Sequence, residues 1–383
     1  MKDVNKKSLA LHKKYGGKIE INGKVSVKDR NDLSLVYTPG VGQVSLEIAK
    51  NQKKVYEYTI KKNTIAVVSD GSAVLGLGNL GAKAAIPVME GKALLFKEFA
   101  GVDAFPICLD TQDTEEIIKT VKNIAPVFGG INLEDISAPR CFEIEKRLRA
   151  ELDIPVMHDD QHGTSMVVLA GLINALNVRG LKKENAKVLI NGAGSAGTAI
   201  SKILVNYGFK RIILCDSRGI VSESRKDLNK EKIELLEFIK SRSGGYEKIE
   251  GALLDAIKNR DIFIGVSKAG VLTEEMVKLM NKDPIIFALA NPVPEIMPDL
   301  AKKSGAFIVA TGRSDFPNQL NNVLGFPGIF RGAIDNKIGQ FKEEMFVQGA
   351  KNLAKCVSKP TRDNLLPKPF DRRIVKEVAK AFK

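Results

Sequence analysis

The stretch Ala186-Lys187-Val188-Leu189-Ile190-Asn191-Gly192-Ala193-Gly194-Ser195-Ala196-Gly197 decides the fold. Its first half is apolar and β-branched, the pattern of a buried strand. It runs directly into Gly192, Gly194 and Gly197, and Thr198 to Tyr207 then continues as a helix. Strand, G-x-G-x-x-G loop and helix in direct succession make a dinucleotide-binding unit. Gly192 makes the turn, Gly194 admits a pyrophosphate and Gly197 lets helix and strand pack. Ala193, Ser195 and Ala196 lie between them, where the helix N-terminus receives the diphosphate. The next strand, Arg211 to Cys215, ends in Asp216, 24 positions beyond Gly192, where an acid meets the ribose. Asp261 to Ser267, Pro284 to Pro292 and Phe307 to Arg313 read as further core strands.

Upstream lies a different signal. Leu152 to Met157 is a short apolar strand, and Ser165 to Leu176 is long and apolar enough for a buried helix. Between them stands His158-Asp159-Asp160-Gln161-His162-Gly163-Thr164, two carboxylates and two imidazoles in a strand-to-helix turn. Open α/β sheets bind ligands at that edge. One Asp is accounted for as a helix cap, but two adjacent ones repel and call for a cation or a partner. Phe128 to Ile136 repeats the theme with Glu134 and Asp135. Capping by Asp135 and Ser137 of the helix containing Cys141 to Leu148 is the plain reading. Strand ends in one sheet are neighbours, however, so Glu134 and Asp135 can converge on Asp159 and Asp160.

Ile65 to Asp70 and Val102 to Asp110 are also strands, Ala82 to Ala100 is helical, and Asp113-Thr114-Glu115-Glu116 opens a helix through Ile124. Gly76, Gly78 and Gly81 formally match G-x-G-x-x-G. The strand ends six residues too early, though, and the next helix carries Pro87 and Gly91. The segment therefore reads as a loop that lets backbone approach a small ligand. Lys92 follows Gly91 among apolar neighbours, a half-buried setting expected to lower its pKa. Tyr37 sits on a loop constrained by Pro39 and Gly40. Asn291, Asn321 and Asn322 can hydrogen-bond carboxylates or a carboxamide without adding charge. Residues 1 to 30 read as a helix and turn, and the basic segment after Lys359 as ending in an exposed helix.

At 383 residues, 44% hydrophobic and 27% charged, the chain should form two domains. The expected class is α/β, with an N-terminal α/β substrate domain (1–157) and a C-terminal Rossmann-type dinucleotide-binding domain with a helical tail (158–383). No apolar run approaches the roughly 20 residues of a membrane span, and the N-terminus lacks a signal-peptide core. A cytoplasmic location is expected. Cys108, Cys141, Cys215 and Cys356 form no Cys-x-x-Cys, and only His12, His158 and His162 are available as imidazoles. A nitrogen and sulfur metal site is thus poorly supplied, whereas hard oxygen ligands abound. The +14 net charge is strewn along the chain, aromatics are 6% and Trp is absent. Nucleic acid is therefore disfavoured as a partner; the charge can attract anionic substrates.

A dinucleotide site beside carboxylates suited to Mg²⁺ or Mn²⁺ suggests a substrate that chelates the cation through a carboxylate and an α-hydroxyl. The cation would stabilise an enolate after loss of CO₂. At this point a family resemblance emerges. Val36 to Gly42, the Ser69-to-Lys92 loop, Asn132-Leu133-Glu134-Asp135, His158 to Thr164, Ala290-Asn291-Pro292 and Asn321-Asn322 follow one another over nearly the whole chain. Together they resemble malic enzyme in its short prokaryotic-type form. The resemblance implies oxidative decarboxylation of (S)-malate to pyruvate and CO₂ with reduction of NAD(P)⁺. It implies Glu134, Asp135 and Asp160 as metal ligands, Lys92 as base, Tyr37 as acid and Asp159 as the residue tuning Lys92. Asn291, Asn321, Asn322 and Lys92 would hold substrate, with Asn291 also on the nicotinamide ribose, in a homodimer. The arginine that long-chain members carry in the first glycine loop is replaced here by Ala73. Asp216 favours NAD, while Arg218 could meet the 2′-phosphate of NADP. The nearest rival is a metal-independent amino-acid dehydrogenase of the glutamate type, and a basic nucleic-acid-binding protein is the rival from another class.

Overall fold

The computed structural model describes residues 2–243 and 247–383. Two parallel sheets organise it. The first contains β1 (Thr64–Ser69), β2 (Asp103–Cys108), β3 (Gly130–Leu133) and β4 (Val156–His158) in the order β2-β1-β3-β4. The second contains β5 (Lys187–Asn191), β6 (Arg211–Asp216), β7 (Gly219–Ile220), β8 (Ile262–Gly265), β9 (Ile285–Ala288) and β10 (Ile308–Thr311), ordered β10-β9-β8-β5-β6-β7. All pairings are parallel except the short β6–β7 hairpin. Chain order reverses between β5 and β8, which opens the crevice used for ligands in doubly wound sheets.

The helices that matter for the site are α1 (Lys2–Tyr15), α2 (Arg30–Val36), α3 (Gly40–Lys50), α4 (Ala82–Ala100), α5 (Thr114–Ile124), α6 (Arg140–Glu151), α7 (Asp159–Arg179) and α8 (Ser195–Tyr207). They are followed by α9 (Lys230–Ser243), α10 (Phe326–Asp335), α11 (Glu343–Lys355) and α12 (Arg373–Ala379). α7 is buried on nearly every side, packed against α8 and α11, and so joins the two sheets through one core.

Three expectations are corrected. The helix after β4 begins at Asp159, not Ser165, so the acids occupy its first turn. Negative side chains are favoured there by the helix dipole. Asp135 and Ser137 do not cap α6: Pro139 holds the cap position, with no side-chain bond. The C-terminal helix is packed rather than exposed, with Ile374, Val378 and Phe382 buried. Gly328 and Gly332 of α10 make this possible, since added Cβ atoms would meet Val378 Cβ at 2.7 Å and Ala379 O at 2.5 Å. α10 in turn packs on α4 and β3, so the C-terminal region returns to the first sheet.

Candidate active site

Strand register brings the acids together. Leu133 pairs with both Val68 and His158. The loop after β1, the pair Glu134–Asp135 and the pair Asp159–Asp160 therefore leave the sheet at one edge. Glu134, Asp135 and Asp160 each offer an oxygen, and these lie within 4.8 Å of one another. Asp135 adopts a left-handed backbone (φ +54°), and its N–H donates to Asp160 Oδ2 at 3.1 Å. The glycine loop closes over it: Ala73 N donates to the Asp135 carbonyl at 2.9 Å and Leu75 N to Oδ1 at 3.4 Å.

Asp135 Oδ2 remains buried with no hydrogen-bond partner. Burial, and then the neighbouring Asp160, push the Asp135 carboxyl up to about 7. Burial also drives Glu134 well above the carboxylate range against the pull of Lys92, with Asp159, Asp160 and Asp135 adding to the rise. Crowded, desolvated carboxylates with an orphaned oxygen are the donor chemistry of a hard divalent cation. The residues fit Mg²⁺ or Mn²⁺.

Lys92 lies in the same cluster, on α4. Its Nζ is 2.6 Å from Asp159 Oδ2 and 3.0 Å from Glu134 Oε1, and it sits 4.1 Å above the centre of the Phe326 ring. The expectation of a half-buried lysine with a lowered pKa is overturned on both counts. Lys92 is buried, and although burial pulls its pKa down, Asp159 and Glu134 outweigh that and hold it above its ordinary value. Asp159 Oδ2 also accepts from Asn322 Nδ2 at 2.6 Å. Asn321 instead turns its carbonyl onto Val323 N as a local cap. Asn291 meets the glycine loop: a Cβ on Gly76 would lie 2.9 Å from its carbonyl oxygen. Tyr37 stands apart, 67% exposed at the junction of α2 and α3 and outside the cluster's hydrogen bonds.

At the second sheet, Gly192 (φ +126°) is pressed against Val266 O, and a Cβ on Gly197 would lie 1.7 Å from Gly192 O. Gly194 has open space beside it and begins α8 without a side-chain cap. Ala193, Ser195 and Ala196 complete this turn, whose N–H groups are free to meet a diphosphate.

Sequence reading missed four supporting residues. Glu295 is buried and accepts from Ser267 N and Ala290 N at 2.9 and 3.0 Å, tying together the ends of β8 and β9. Glu145 accepts from His158 N and Gln161 Nε2 and pairs with His162 at 2.8 Å, locking α6 to the start of α7. Phe326 floors Lys92. Arg140 enters the first glycine loop from α6, its Nη2 2.9 Å from Asp70 Oδ2, with Ser137 and the Gln112 carbonyl as further partners. Only the buried Asp70 hinted at such a cation.

A carboxylate and lysine cluster at the edge of one sheet, together with a dinucleotide loop at the edge of the other, defines an NAD(P)-dependent oxidoreductase. Residues 16–149 match the family model of the malic enzyme N-terminal domain, and residues 161–381 that of the malic enzyme NAD binding domain. The chain belongs to the malic enzyme family, whose members decarboxylate malate oxidatively with NAD(P). It is 53% identical to the bifunctional malic/malolactic enzyme of Bacillus subtilis over 99% of this chain and 92% of that one. It is 43% identical to the NADP-dependent malic enzyme of Halomonas elongata over 94% and 89%. The crystal structure of the NAD-dependent malic enzyme of Thermotoga maritima superposes with a TM-score of 0.93, at 47% identity, covering 98% of each chain.

Proposed function

We propose that this chain carries out divalent-cation-dependent oxidative decarboxylation of (S)-malate to pyruvate and CO₂, with Glu134, Asp135 and Asp160 holding the cation. The observation that carries this reading is the carboxylate trio, Glu134 and Asp135 buried and Asp160 half-buried, with its unpaired oxygen on Asp135 and with Lys92 against Glu134. When bound, the cation would supply polarisation of the C2 oxygen and of the enolate left when CO₂ departs. Lys92 Nζ, once it has released its own proton to solvent, takes the C2-hydroxyl proton as hydride leaves C2 for the nicotinamide. Asp159, itself held by Asn322 Nδ2, keeps Nζ in place, and engagement of Glu134 with the cation would remove one of the two anions that keep Lys92 charged. Tyr37, though it stands outside the cluster's hydrogen bonds, is the proposed donor of the proton that C3 requires. Asn291 and Asn322, with Asn321 behind them, orient substrate and nicotinamide ribose. The Gly192–Gly197 turn holds the diphosphate, and Asp216 beyond it, whose oxygens accept from Arg218 N, Arg225 and Lys232, shapes the ribose end of the site through those partners.

Tyr37 lies among exposed apolar residues, Leu33, Leu35, Val41 and Leu46, on helices that bury none of their side chains. A homodimer that covers this surface is the proposed assembly. The cytoplasm is its proposed compartment, and no helix among the described residues is long and apolar enough to cross a membrane. The domain boundary is placed between 157 and 158, within β4 and one residue before α7 begins.

Initial rates with malate, Mn²⁺ and either dinucleotide test the proposal. Turnover should vanish with EDTA, return with Mn²⁺, and be lost in Asp160→Ala. Metal-independent oxidation of an amino acid would replace it with the glutamate-type reading.

A further inference from the structure

β4 ends in a histidine that the cluster's hydrogen bonds leave out. His158 pairs in register with Leu133, and its backbone N–H donates to Glu145 Oε1 at 3.0 Å. The residue is fully buried, yet neither Nδ1 nor Nε2 of its ring has a hydrogen-bond partner among the described residues. A buried polar group without a partner is costly, so a position serving the core alone is better filled by an apolar side chain. Nε2 lies 3.6 Å from Asp160 Oδ2, just beyond hydrogen-bond range.

The three carboxylates of the trio are not held equally. Glu134 is fixed by Asn132 Nδ2 at 2.8 Å and by Lys92 at 3.0 Å. Asp135 is buried beneath the glycine loop and accepts from Leu75 N. Asp160 is half-buried, and the one hydrogen bond its side chain accepts among the described residues comes from Asp135 N, at 3.1 Å. It is the loosest of the three. His158 does not belong to the set whose donor atoms lie within 4.8 Å of one another. It is therefore no fourth member of the trio but the neighbour of one oxygen of Asp160.

We propose that His158 is a positioning residue, whose Nε2–H donates to Asp160 Oδ2 when the site is loaded and so sets the direction in which that carboxylate faces the cation. The inference rests on reading Glu134, Asp135 and Asp160 as the cation's ligands. Ligating carboxylates depend on hydrogen bonds of this kind for their orientation. A shift of ~0.6 Å brings the pair from 3.6 Å to the ~3.0 Å of an ordinary N–H···O bond. The imidazole is a firm donor for this purpose, because strand register and Glu145 fix its backbone and no other acceptor competes for Nε2.

The test is the Mn²⁺ affinity of the full chain, measured by calorimetry without substrate or nucleotide, beside the Tm of the cation-free protein. His158→Leu removes both nitrogens while filling most of the space. Its cation-free Tm should equal or exceed that of wild type while its Mn²⁺ affinity falls ~10–100-fold. His158→Gln presents an amide N–H near the place of Nε2 and should recover most of the affinity. His158→Asn carries the same amide one methylene shorter, near the place of Nδ1, and should be as weak as His158→Leu. Were His158→Leu not to fold, the contrast between Gln and Asn still decides. Wild-type Mn²⁺ affinity in His158→Leu or His158→Asn, or equal losses in His158→Gln and His158→Asn, would overturn the proposal. If wild type itself binds no Mn²⁺, the cation reading of the trio fails, and this proposal with it.

Discussion

Gly163→Ala separates catalysis from stability at the centre of the site. Gly163 lies in the second turn of α7, and an added Cβ would fall 1.9 Å from Asp159 Oδ1 and 2.9 Å from its Cγ. Real Cβ contacts essentially never fall under 3.0 Å, so the carboxylate has to retreat by about 1 Å. It cannot do so freely, because Oδ2 is held by Lys92 and Asn322, each at 2.6 Å. Freeing one oxygen drags the other and with it Lys92. Ala gains ~1 kcal/mol over Gly in a helix interior, and overpacking of this kind costs ~1–3 kcal/mol. The net loss of stability is thus at most ~2 kcal/mol, a few degrees in Tm. A misplacement near 1 Å at a catalytic group costs on the order of 100-fold in rate. Gly163→Ala should therefore purify as a folded protein with Tm within a few degrees of wild type and kcat for malate oxidation down ~100-fold. Gly171→Ala, in the same helix, presses only on Leu320 Cδ2 at 2.9 Å and is expected to keep kcat within a few-fold. Wild-type kcat in Gly163→Ala would refute the assignment of Asp159 as the residue that places Lys92.

The raised Asp135 predicts how the cation-free chain responds to pH. A folded carboxyl at about 7, above the ~4 of an unfolded one, contributes stability that is full below pH ~4 and lost as pH rises through about 7. A bound cation reverses this by replacing the proton. The rise in Tm on adding Mn²⁺ should accordingly grow between pH 6 and 8 and shrink in Asp135→Asn; an increment independent of pH would contradict the cluster chemistry. The cysteines should be inert. Burial raises Cys108 to about 11 and Cys215 to about 12, leaving ~0.1% or less as thiolate at pH 8. Ellman's reagent should find its thiols only after denaturation, and rapid labelling of the native chain would count against this packing.

Most of the architecture was legible because hydrophobic period and glycine position are local signals. The strands around Val67, Leu133, Leu189, Ile264 and Phe287 read directly as continuous apolar runs and are all buried. β7 escaped because two residues carry no period. α7 was begun six residues late because Asp159 and Asp160 look like turn residues until the sheet edge places them in a helix's first turn. The packed α12 was misread because its partners are the close backbones of Gly328 and Gly332, and a pair of glycines says nothing in sequence about what will lie on them.

The errors at the site share one physical origin. Local sequence indicates whether a charge will be buried, and burial alone lowers a lysine and raises an acid. What reverses the direction is the partner. For Lys92 the partner Asp159 lies 67 positions away; for Asp216 the cations lie 9 and 16 positions on, in a loop and the helix after it. In both cases the residue was found and its state was misjudged, because a carboxylate already accepting four hydrogen bonds is a different chemical object from a free one. The same accounting explains why the cation assignment rests on Asp135 rather than on the count of acids. Glu134 spends its oxygens on Lys92 and Asn132, whereas Asp135 Oδ2, buried and unpaired, has a lone pair that nothing else in the described chain can use.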